Sequence, residues 1–144
     1  MMYLDSCVIV KLLVPEEDSE FFQSRLEDEY LTTSELAWTE VGAALLSKER
    51  VGVLTAAKRQ AAWQVFADRV SAEEIVLEPL DGITLRKAHH ILNACHPHVP
   101  LRTLDAIHTA ACDLSQDFPL CSTDRRMREA ARFLKIPVFP EEVG

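Results

Sequence analysis

Short apolar segments recur between longer stretches of helical period, and this alternation restricts the possible folds more than any other feature of the chain. Met2-Tyr3-Leu4, Ile75-Val76-Leu77, Pro119-Leu120-Cys121-Ser122 and Pro137-Val138-Phe139 read as short buried strands, with Tyr30-Leu31-Thr32 a weaker candidate. Helix-period stretches fall near residues 7–13, 20–27, 32–50, 55–70, 83–94, 102–115 and 124–134. Thr32-x-x-Glu35 reads as a capping box opening the third of these. Strands that alternate with helices predict an α/β fold, a parallel sheet covered on both faces. In such a sheet the functional site lies beyond the carboxyl ends of the strands, where the strand order reverses.

The 144 residues suit one domain, 1–144, with a core large enough to need no disulfide or metal staple. No apolar run approaches the roughly 18 residues of a membrane span. The start of the chain lacks a basic region, and Asp5 and Lys11 interrupt its first apolar stretch, so a cytoplasmic location is expected. Cys7, Cys95, Cys112 and Cys121 form no CxxC pair and read as reduced thiols. The formal net charge of −8 argues against a general nucleic-acid coating protein. It leaves room for a nucleic-acid enzyme, because carboxylates that bind a divalent metal count as negative until the metal arrives.

Four acids stand where that chemistry would need them. Asp5 follows the first strand and precedes the first helix, and Asp124 follows the strand that ends near Ser122. In a parallel sheet both emerge at the same edge, where they repel unless a cation joins them. Glu40 lies four after Leu36 and four before Ala44, on the border of its helix's apolar stripe. A carboxylate there is costly unless paired or metal-bound. Asp105 sits in the first turn of its helix, on the shoulder of a stripe made by Leu104, Ile107, His108 and Ala111. Each acid alone also has an ordinary explanation: a turn residue for Asp5 and Asp124, a favourable helix-dipole position for Asp105. The functional reading depends on their combination.

Leu4-Asp5-Ser6, the segment Ser34-Glu35-Leu36-Ala37-Trp38-Thr39-Glu40-Val41, the run Leu101-Arg102-Thr103-Leu104-Asp105-Ala106-Ile107-His108 and Ser122-Thr123-Asp124-Arg125-Arg126 together resemble the PIN-domain ribonucleases. The similarity is strongest to the VapC toxins of bacterial and archaeal toxin–antitoxin pairs, and covers roughly residues 2 to 139. The resemblance implies a three-layer α/β/α sandwich on a central parallel sheet of about five strands. It implies an acidic site of Asp5, Glu40, Asp105 and Asp124, with Ser6 and Ser122 as small hydroxyl residues that organise it. Hard oxygen ligands of this kind select Mg²⁺ or Mn²⁺. The resemblance implies metal-dependent hydrolysis of RNA phosphodiester bonds, and a metal-activated water is the expected attacker because no residue offers itself as a covalent nucleophile. Asp5 and Asp105 are the primary ligand candidates. Glu40 is a ligand or water-orienting candidate, and Asp124 completes the site. The resemblance also implies a homodimer and a cognate antitoxin that lies across the acidic groove. Rival readings are a housekeeping RNA-processing nuclease and a catalytically silent binding module.

Arg102, Arg125, Arg126 and Arg128, with Lys48 and Arg50, are candidates for phosphate contacts, or form a solvated helix face. Cys95-His96-Pro97-His98 offers zinc-type donors but lacks a partner pair at finger spacing. His89-His90 is expected to straddle a buried edge. His108 is placed to bond Asp105, three residues earlier, or to pack in the core. Trp38 and Trp63 are expected in core or interface roles.

Overall fold

A computed structural model describes residues 1–142. Five strands form one sheet: β1 (Met2–Leu4), β2 (Leu31–Ser34), β3 (Ile75–Glu78), β4 (Leu120–Cys121) and β5 (Val138–Phe139). Their order is β3-β2-β1-β4-β5 and every pairing is parallel. The described residues also form seven helices: α1 (Ser6–Leu13), α2 (Ser19–Leu26), α3 (Leu36–Arg50), α4 (Ala56–Ser71), α5 (Gly82–Cys95), α6 (Thr103–Ser115) and α7 (Arg125–Phe133). None is long and apolar enough to cross a membrane.

The layers follow from period-two alternation in β1. Met2 and Leu4 face one way, into a core built with Ile9 of α1, Phe22 of α2, Val41 of α3 and Phe66 of α4. Tyr3 faces the other way, with Ala111 and Cys112 of α6 and Met127 of α7. A neighbouring cluster joins Ala88 and Ile91 of α5 to Ile107 of α6 and Ala130 of α7. The result is the expected three-layer α/β/α sandwich. The chain winds from β1 outward to β3, then returns to place β4 on the other side of β1. The reversal therefore lies at β1, whose carboxyl end leads directly into Asp5.

The strand at 31–34 is the weak candidate in sequence because Leu-Thr-Thr-Ser is mostly polar. The structure buries all four residues. Thr33 Oγ1 resolves part of the cost by donating to the Leu4 carbonyl at 2.7 Å. This strand also overturns the capping box at Thr32-x-x-Glu35. Thr32 lies within β2, and α3 begins two residues beyond Ser34, whose Oγ accepts from Leu36 N at 3.0 Å. Pairing with β1 and β3 takes up the backbone that a helical start at 32 would need. Elsewhere local capping is conventional: Thr55, Asp81 and Asp124 each accept a backbone N–H three residues on.

His89 and His90 are both exposed, and do not straddle a buried edge, because α5 presents Thr84, Ala88, Ile91 and Cys95 inward. Trp38 and Trp63 meet edge to face at a 4.7 Å centroid separation and both pack on Phe66. Cys95, Cys112 and Cys121 are buried free thiols and Cys7 is partly buried.

Two expectations follow. Phe66→Ala removes a fully buried ring from the first core and is expected to lower stability by about 3–5 kcal/mol in urea denaturation. The second concerns Glu78, beside Asp117. Burial, then the hydrogen bond and negative charge of Asp117, push the Glu78 carboxyl up to about 7 from an ordinary 4.5. A raised folded pKa means that folding takes up a proton between those two values. Stability should therefore fall as pH rises across that window, and Glu78→Gln should flatten this part of the curve in pH-dependent melting.

Candidate active site

The four acids reach one edge of the sheet from four different elements. Asp5 is the N-cap of α1, Glu40 projects from α3, Asp105 lies in the first turn of α6, and Asp124 is the N-cap of α7. Polar contacts tie each of them to its surroundings. Ser122 Oγ donates to Asp5 Oδ2 at 2.8 Å and accepts the Asp124 N–H at 3.0 Å. Asp124 Oδ1 accepts from Met127 N at 2.9 Å, while Oδ2 faces Arg102 Nη2 at 3.4 Å. Asp105 Oδ2 accepts from both the backbone N–H and Nε of Arg102, each at 3.2 Å. Ser6 Oγ donates to Glu40 Oε1 at 2.6 Å. His108 Nε2 contacts the same oxygen and lies 4.0 Å from Asp5 Oδ1.

Burial separates the acids into two kinds. Asp5 and Asp105 are both only 6% exposed, whereas Glu40 and Asp124 are half-buried. The structure thus corrects the stripe expected on α6. Leu104 is exposed, and Asp105 begins an unbroken buried run to Cys112, because α5, α7 and the sheet enclose this helix from several sides. Asp5 is held on one oxygen by two donors, Ser122 Oγ and the Cys7 thiol at 3.0 Å. Burial, together with the Asp5 charge, pushes the Cys7 thiol up to about 12, so it serves as a donor and not as a thiolate ligand.

His108 is the residue whose role the sequence leaves open. It does not bond Asp105. It is 1% exposed, with Nδ1 against Tyr3 Oη at 2.7 Å and Nε2 against Glu40. Burial works against the charged imidazole, but the Glu40 hydrogen bond and the charges of Asp5, Glu40 and Asp105 outweigh it and raise its pKa. Burial likewise works against ionised Glu40, and His108 with Ser6 reverses the balance and lowers its pKa. The available signal is a histidine inside an apolar stripe and a glutamate bordering another, two buried polar groups that each require a partner.

The arginines divide. Arg102, Arg125 and Arg126, with Pro100, Asp124 and Glu129, line an open cleft of about 500 Å³ beside the acids. Arg128 is not part of it. Only 4% exposed, it donates from Nη1 to the Ser122 carbonyl at 2.9 Å and from Nη2 to the Pro140 carbonyl at 2.6 Å. Lys48 approaches Glu16 at 4.0 Å, and Arg50 is exposed at the far end of α3.

A hard divalent cation suits this donor set: carboxylates and hydroxyls, with the one nearby thiol held protonated. Among the described residues, no three His, Cys, Asp or Glu side chains are drawn into a ready metal cluster, and this includes Cys95, His96 and His98. The positive charge between Asp105 and Asp124 comes instead from Arg102.

The PIN domain family model matches residues 2–133, across all four acids. The chain belongs to the PIN-domain family. It is 34% identical to ribonuclease VapC46 of Mycobacterium tuberculosis over 143 residues, covering 96% of this chain and 95% of that protein. Ribonuclease VapC35 of the same species is 29% identical over 142 residues, covering 96% and 95%. Two solved structures share the PIN fold. FitAcB from Neisseria gonorrhoeae aligns with a TM-score of 0.70 at 18% identity, covering 98% of each chain. VapBC2 from Rickettsia felis, bound to a DNA fragment from their promoter, aligns with a TM-score of 0.68 at 9% identity, covering 96% and 97%.

Ser122 gives this PIN site its simplest structural test. Ser122→Ala strips a partner from buried Asp5 and from the Asp124 N–H. The expected cost is about 1–3 kcal/mol in urea denaturation.

Proposed function

We propose that this PIN domain is a metal-dependent endoribonuclease that hydrolyses RNA phosphodiester bonds with Mg²⁺ or Mn²⁺. In this reading it is the toxin of a toxin–antitoxin pair. The observation that carries the reading is the convergence of Asp5, Glu40, Asp105 and Asp124, from four elements, at the strand-order reversal. The curated relatives named VapC ribonucleases support the choice of RNA as substrate. The same relatives, and a structural neighbour named VapBC2, support a cognate antitoxin as partner.

Asp5 and Asp105, the two most buried acids, would hold the metal, with Asp124 completing the donor set. When bound, the ion supplies Lewis acidity, making water a stronger acid and offsetting phosphate charge. Glu40 has one oxygen engaged by Ser6 and His108, which leaves Oε2 to orient a water or reach the ion. The Ser6 and His108 contacts keep Glu40 ionised and aimed, so it can accept a hydrogen bond from that water or join the ion without rearrangement. Arg125 and Arg126 are exposed on the cleft wall, where they would take phosphates that flank the cut.

The chain would act in the cytoplasm as a single domain that pairs with a second copy. Trp38 and Leu46 on α3 and Val65 on α4 are exposed, and these apolar side chains are available to such pairing.

The test is incubation of purified, partner-free protein with total RNA and Mn²⁺ or Mg²⁺. Discrete fragments should form, and both a chelator and Asp5→Asn should reduce them to background. Ser6→Ala frees Glu40 without removing an acid, and should lower the rate about 10- to 100-fold, the usual effect of losing a group that supports a metal ligand. Cleavage that survives chelation and Asp5→Asn would overturn the metal–carboxylate mechanism.

A further inference from the structure

Among the described residues, Arg102 is the only lysine or arginine that contacts the acidic set directly. Its guanidinium spans two helices, with Nε on Asp105 Oδ2 at 3.2 Å and Nη2 on Asp124 Oδ2 at 3.4 Å. The partners differ sharply in freedom. Asp105 is buried and tied to the Arg102 backbone N–H, and Asp124 is fixed by its cap to Met127. The Arg102 side chain is 63% exposed and lies on the wall of the cleft that also carries Arg125 and Arg126. Fixed anions are therefore bridged by a cation that can leave with little loss of packing.

The two acids that Arg102 bridges are also proposed metal donors. Without another cation they would repel each other across the start of α6 and α7. With a divalent cation between them the guanidinium becomes redundant, and the two positive charges oppose each other. A guanidinium released from this position remains beside the cleft, where its planar donors match a phosphate.

We propose that Arg102 is a displaceable counter-ion, which closes the Asp105–Asp124 pair in the metal-free protein and turns to an RNA phosphate once a divalent cation replaces it. The proposal rests on the metal-site reading above, and extends it to how that site is kept in order before loading. A purely structural role predicts the opposite metal response, because loss of a group that merely positions the acids would weaken binding.

The experiment is calorimetric titration of the full chain with Mn²⁺ alone, comparing wild type, Arg102→Ala, Arg102→Gln and Arg102→Lys. Loss of the guanidinium should tighten Mn²⁺ binding about 10-fold in the Ala and Gln variants, the scale of one unit charge acting through a largely aqueous setting. Arg102→Lys keeps the charge but loses the two-point span, and should fall between them and wild type. Melting without metal should fall in all three variants, and added Mn²⁺ should recover more of the difference in Ala and Gln. The KM for RNA should rise with a smaller change in kcat. Mn²⁺ affinity that is unchanged or weaker in both the Ala and Gln variants overturns the proposal. If wild type binds Mn²⁺ and the variants shift as expected but no RNA is cut, the counter-ion role stands and the ribonuclease reading fails. If wild type cuts RNA and the affinity shift is missing, the ribonuclease reading stands and the counter-ion role fails.

Discussion

One hydroxyl at the reversal of the sheet sets the position of almost everything around it. Ser122 Oγ donates to Asp5 at the end of β1 and accepts the backbone N–H of Asp124 at the start of α7. It is fully buried, so both bonds are made without competition from water. β1 and β4 are neighbours in the sheet, and the Asp5 N–H also donates to the Cys121 carbonyl at 2.9 Å. Two chain segments more than a hundred residues apart are thus locked in register at the point where their acids must meet. The other half of the site is assembled in the same way. His108 on α6 reaches Tyr3 on β1 and Glu40 on α3, joining the two faces of the sheet past its carboxyl edge.

Periodicity and turn chemistry make most of the fold legible. Each of the five strands and seven helices seen among the described residues has a counterpart in the sequence pattern, and Asp5 and Asp124 are readable as strand-end acids. The misreadings share a cause. A Leu-Thr-Thr-Ser segment looks like a helix entry because its hydroxyls can cap, yet pairing on both sides and the Leu4 carbonyl make it an internal strand. Asp105 looks like a shoulder residue because helical periodicity describes one buried stripe, whereas α6 is enclosed from several directions. The partners of His108 are invisible for a similar reason: its contacts lie 68 and 105 residues away in sequence. Local pattern places elements. Contacts between their ends depend on topology, which no short window contains.

The site also shows how an acidic protein tolerates a group of carboxylates at its interior edge. No single device does it. Asp5 is satisfied by hydroxyl and thiol donors, Glu40 by a hydroxyl and a histidine, Asp124 partly by helix-capping, and Asp105 by an arginine. Each device compensates charge differently, so the four groups do not respond as one to a change in their surroundings. Structures of the same fold at 9% and 18% identity indicate that this scaffold survives extensive replacement of its sequence. The topology places strand ends together whatever residues fill the layers.

Arg128 gives the last segment a part in this arrangement. Its guanidinium grips the Ser122 carbonyl with one nitrogen and the Pro140 carbonyl with the other, the latter just after β5. Burial lowers its pKa without removing its need for acceptors. The outermost strand is therefore tethered to the same residue whose side chain holds Asp5. A ligand or protein that peeled the 140–141 segment away would leave a buried charge short of partners and loosen the backbone of Ser122. The sheet margin and the acidic centre are in this sense mechanically continuous: a tug on one reaches the other through the Arg128 side chain as well as through the β4–β5 backbone pairing.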